Sequence, residues 1–251
     1  MPASAADAPC PEQAFNATAL KWHTCAWLLL PVLVFLAGWM HWYAALPLML
    51  LTAAGLAPRK RKEPQTRDSL PAFPLFTRSS FLALAAFAAL MTLSGWGEWV
   101  NQHPDHIVRN ACLRELVASP WPVIFPDGNM LVYNTGFWLV PALAGKLAGL
   151  DAARVFVVLW GTWGLFLTWL WLCVFSGRRS LLLALLMAAF GSLLNFQCWL
   201  GLDLFRLHYF GTAEQIMCSA NASIPVLLFF IFLASGRMPL PWIPLLFAAT
   251  A

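Results

Sequence analysis

Asp105 stands among groups that could work with it: His103 and His106 on either side, Arg109 and Asn110 about one helical turn on, then Arg114 and Glu115. A carboxylate in such company could act as a general base. It also follows Pro104 at the start of a predicted helix, where Asp is an ordinary N-cap, and position alone does not separate the two roles. His103, Asp105 and His106 together would offer a divalent metal two imidazoles and a carboxylate. This is the alternative use of the same residues, set against the commoner case of a histidine as a plain polar partner.

The elements that must position these groups are apolar. The 251 residues are 61% hydrophobic and 10% charged, with a mean hydropathy of +0.70. Soluble domains carry about 25% charged residues, so the composition predicts a bilayer protein. Fourteen Trp and 19 Phe against 3 Tyr suit interfacial anchoring and helix packing in lipid. The net charge of +4 does not point to nucleic acid, because the positive residues cluster in short stretches beside apolar runs, the pattern that orients a membrane protein. Six cysteines without C-x-x-C spacing indicate neither a zinc site nor a redox motif. A Cys198–Cys218 disulfide is left open.

Along the chain, apolar runs at 25–40 and 43–57 predict a helical hairpin, followed by the basic run Arg59-Lys60-Arg61-Lys62 through Arg67, which the positive-inside rule puts in the cytoplasm together with the N-terminus. A span over 81–94 then runs outward. It delivers residues 98–151 as a first extracytoplasmic loop, in which 105–116 forms an amphipathic helix along the membrane, with His106, Arg109, Asn110 and Arg114 on one face and Val108, Ala111, Cys112 and Leu116 on the other. The run 137–150, short and broken by Pro141, Gly145 and Lys146, reads as a second interfacial or re-entrant helix. Spans at 152–175 and 181–200, an external loop at 201–221 and a return at 224–234 complete an all-α polytopic domain of about six to seven spans. The run 239–251 is too short to cross, so the expectation is a chain continued C-terminally or completed by a partner chain. Of the 15 Lys and Arg, this topology leaves Arg109, Arg114, Lys146, Arg154 and Arg206 outside and ten inside. Seven of 11 acids, Glu98, Asp105, Glu115, Asp127, Asp151, Asp203 and Glu214, fall outside, which points to a site there. A carboxylate partly desolvated at the membrane boundary is a stronger base.

Residues 105–123, D-H-I-V-R-N-A-C-L-R-E-L-V-A-S-P-W-P-V, continued by Leu131-Val132-Tyr133, Gly136-Phe137-Trp138 and the run 141–149, resemble the first external loop of bacterial membrane glycosyltransferases of the GT-C type. His106 departs from that pattern, where an aromatic follows the Asp, and Arg109 stands at its His position. The resemblance implies a GT-C-like helix bundle with Asp105 as general base, or in some branches a metal ligand, and a polyprenyl-phosphate sugar as donor. A base there, acting as the acceptor hydroxyl attacks the anomeric carbon, would give inversion, and Arg109 and Arg206 are phosphate-binding candidates because guanidinium binds phosphate bidentately, joined by Asn110, Asp203 and Lys146. Gly201-Leu202-Asp203 and Met217-Cys218-Ser219-Ala220-Asn221 resemble the second loop more loosely. A transporter or flippase of lipid-linked precursors would place ionisable residues within its spans, which are nearly charge-free here. A non-catalytic membrane partner is the third class.

Overall fold

The computed structural model is mostly helical and describes residues 14–15, 17–56, 73–74, 77–100, 102, 104–133, 135–189 and 212–234. Among these are eight helices: α1 (Ala17–Trp39), α2 (Trp42–Leu56), α3 (Arg78–Leu93), α4 (Pro104–Ala118), α5 (Gly136–Ala148), α6 (Leu150–Ser176), α7 (Leu181–Ala189) and α8 (Thr212–Ala234). Two short strands, β1 (Ala14–Phe15) and β2 (Phe73–Pro74), pair antiparallel. Two helical segments, Ala19–Trp39 and Leu150–Ser176, are long and apolar enough to cross a membrane. The basic run at 59–68, Cys198 and the side chain of Cys218, and the run 239–251 lie outside the described residues.

α6 is the axis. α1, α3, α5, α7 and α8 all pack on it. Close approach is made possible where α6 has no side chain: a Cβ on Gly164 would lie 2.5 Å from Ile224 of α8 and 2.7 Å from Trp27 of α1, and one on Gly161 would lie 2.3 Å from Met91 of α3. Small residues of this kind bring helices together where apolar burial alone does not drive association. The Trp residues carry both packing and polar contacts. Trp27 stacks on Trp160 at 4.9 Å and donates its indole N–H to the Trp160 carbonyl at 3.1 Å, while Trp171 donates to Thr24 Oγ1 at 2.9 Å. Their indoles serve the interior as much as any interface. Outward faces are also apolar, with Leu50, Leu51, Phe81, Leu82 and Leu185 exposed.

α3 and α6 run antiparallel, and their polar ends coincide. Arg179, just past α6, donates to Thr77 Oγ1 and Ser80 Oγ at the start of α3 at 2.9 and 2.8 Å. At the other end, Glu98, beyond α3, meets Arg154 in the first turns of α6.

Three expectations are corrected. α4 buries His106, Arg109, Cys112, Leu113 and Leu116, while Val108 is exposed. At 100° per residue, positions 106, 109, 113 and 116 share one stripe, so the buried face cuts across the predicted polar one and takes a histidine and an arginine inward. α5 does not lie along a surface: every residue from Phe137 to Ala142 is buried, so its first half enters the bundle. Its 13 residues join α6 through Gly149 alone, whose φ of 90° lets the chain reverse. Finally, 212–221 is helical rather than loop, interrupted at Ser219.

Candidate functional site

The site forms where α4 meets the turn after α3 and the break in α8. The segment Gly95-Trp96-Gly97-Glu98 takes φ values of 92°, 89° and 67° at Gly95, Gly97 and Glu98, folding back so that Trp96 is inserted against the start of α4. Trp96 is 2% exposed and packs on His106 at 5.1 Å and on Trp138 at 5.4 Å. Gln102 braces this turn, donating to the Gly95 and Val100 carbonyls at 2.8 and 2.7 Å and accepting from Asn110 at 2.8 Å. Asn110 therefore acts as a brace between α4 and the turn.

Asp105 lies in the first turn of α4, one residue inside the helix rather than at its cap. A carboxylate there still faces the positive end of the helix dipole. Its side chain is 52% exposed and stands 3.7 Å from Nη2 of Arg109, the residue one turn later. The burial expected to strengthen it as a base is absent, and the neighbouring cation carries the burial instead. Arg109 is 7% exposed, lies over the Trp96 ring at 5.9 Å, and donates from Nη2 to Ser219 Oγ at 3.1 Å. Among the described residues its Nε and Nη1 have no hydrogen-bond partner. A buried guanidinium with donors unspent is an anion-seeking group.

Glu98 accepts from Arg114 at 2.6 Å and from Arg154 at 2.5 Å, while Arg154 also holds Asp151 at 2.7 Å. Partial burial works to raise the Glu98 carboxyl, and the bonds and charges of Arg114 and Arg154 outweigh it, leaving the group below the ordinary carboxylate range. This clasp ties the turn, α4 and α6 together. Nothing local in the sequence marks its partners, which lie 16 and 56 residues away; only the Gly-Trp-Gly before Glu98 signals an unusual turn. The remaining described acids have local duties. Asp127 accepts from the Asn129 backbone and side chain in the turn at Gly128, and Glu115 accepts from Ser119.

Lys146 does not join the site. It donates to the carbonyls of Val117 and Ser119 at 3.5 and 2.6 Å and sits over the Trp121 ring, at the far end of α4, about 18 Å from Asp105 along the helix. It closes the helix C-terminus. Asp203, Arg206 and His103 lie outside the described residues. His106 is buried on Trp96, while Asp105, the adjacent helical position, is half exposed. Among the described residues no three His, Cys, Asp or Glu side chains gather as metal ligands; His103, the third member of the set with Asp105 and His106, lies outside them.

Comparison of the chain with known protein families, with functionally described proteins and with solved structures finds no match.

Proposed function

We propose that the chain is a polytopic protein of a bacterial cytoplasmic membrane, N-terminus inside, that transfers a sugar from a polyprenyl-phosphate donor to an acceptor on the extracytoplasmic side with inversion. The observation that carries this reading is the pairing of a solvent-reachable carboxylate, Asp105, with a sequestered guanidinium, Arg109, 3.7 Å away. Asp105 takes the proton of the acceptor hydroxyl as that oxygen bonds to the anomeric carbon. The bond from the anomeric carbon to the phosphate oxygen breaks with its electron pair, and Arg109 holds the charge left on the lipid phosphate. Asp105 then returns the proton to water. The polarity of the bundle supports the membrane setting: between Arg78 and Glu98 along α3, and between Arg154 and Arg178 along α6, there is no charged residue. A run that free of ionisable groups weighs against a transporter of polar cargo.

The test supplies membranes carrying the chain with a radiolabelled polyprenyl-phosphate sugar and a crude envelope acceptor. Label should move from the lipid to the acceptor fraction above the level of membranes without the chain. Label confined to the donor pool would overturn the enzymatic reading and leave a non-catalytic partner protein.

A further inference from the structure

α8 is interrupted at Ser219, where φ is −150° and ψ is 44°, so Ala220–Ala234 starts afresh as a second helix. A helix start leaves backbone N–H groups without intrahelical acceptors and carries partial positive charge. Ser223 Oγ closes back on the Ser219 carbonyl at 2.9 Å. Against this start lies Arg109, 7% exposed, held by Ser219 Oγ on Nη2 and with Nε and Nη1 unspent among the described residues. Two independent features, a helix start and a sequestered cation, thus meet at one serine. Asp105, exposed and 3.7 Å away, balances the guanidinium only loosely.

We propose that Arg109, Ser219 and the helix start behind Ser219 form an oxyanion site for a phosphate monoester, with Ser219 as the positioning residue that holds the guanidinium. The phosphate class rests on the transfer reading above; the anion site itself does not. Ser219 occupies one N–H of Nη2, and Trp96 lies against the guanidinium, which leaves the in-plane N–H groups of Nε and Nη1 for phosphate oxygens.

The full chain in phosphatidylcholine nanodiscs is titrated with farnesyl phosphate and, separately, with farnesol. Farnesyl phosphate should bind at least about tenfold tighter, and Ser219→Ala should remove about tenfold of that affinity while leaving farnesol unchanged. Ser219→Thr, which keeps the hydroxyl, should restore it, and Arg109→Gln should abolish the discrimination. Competition by inorganic phosphate would assign the site to free phosphate, and lack of competition to phosphate borne by a lipid. Equal binding of the two isoprenoids, or wild-type affinity in Ser219→Ala, would overturn the proposal. Should Ser219→Ala fail to fold, the wild-type discrimination and the Thr variant decide. Because no sugar is involved, phosphate discrimination without sugar transfer would remove only the enzymatic reading, and sugar transfer without discrimination only the anion site.

Discussion

At Asp105 and Arg109 the spacing of four was legible in the sequence, because residues one turn apart on a helix are neighbours. Their division of labour was not. Which of the two is buried depends on how α4 is rolled against Trp96 and α8, and the roll is set by contacts such as Arg109 to Ser219, 110 residues apart. The same roll carries Cys112 inward, where burial pushes its thiol up to about 12. Since the thiolate is the reactive form, a chain with Cys112 as its sole cysteine should resist N-ethylmaleimide at pH 8 while folded and react fully after denaturation in SDS. Rapid labelling of the folded chain would mean that α4 presents a different face.

Three of the helices follow the sequence expectation closely. α3, α4 and α6 begin and end within a few residues of expectation, since long apolar periods, Pro104 and the Gly177 terminus are local signals. What pattern reasoning lacked was depth, as the run into α5 shows: a short helix beside a membrane looks the same whether it lies on the bundle or enters it. Glu98 ties the turn after α3 to α4 and α6. Glu98→Gln leaves Arg114 and Arg154 without their shared carboxylate and should cost about 2 kcal/mol in an SDS unfolding titration. Because the folded carboxyl is depressed, its contribution is complete above the ordinary carboxylate pKa of about 4.3 and is lost as pH falls through the lower folded value. The wild-type advantage over Glu98→Gln should therefore persist at pH 5 and shrink below pH 4; an advantage unchanged at pH 3 would contradict the clasp. Gly164→Val forces a side chain into Trp27 and Ile224 and should destabilise by about 2 kcal/mol or more, whereas Gly136→Ala, where a Cβ meets nothing within 4 Å, should be close to neutral.

At the scale of the whole molecule, charge sorting in the sequence and contact in the structure agree on which residues share an end. Arg179 meets Thr77 and Ser80 beside Arg78, all assigned inside, and Glu98, Arg114, Asp151 and Arg154 meet one another, all assigned outside. Positive-inside bias sums many weak placements, so it does not depend on which face of any one helix is buried. Reporter fusions after Gly136 and Leu150 should read extracytoplasmic and a fusion after Arg179 cytoplasmic; a cytoplasmic Leu150 would make α5 a full crossing and reverse everything after it. The proposed sugar transfer requires Asp105 to remove the acceptor proton. Sugar transfer from a polyprenyl-phosphate donor by the full chain in nanodiscs, wild type beside Asp105→Asn, tests that most directly. Asp105→Asn should lower kcat at least about 100-fold with little change in donor affinity. Transfer by Asp105→Asn at the wild-type rate would contradict that role.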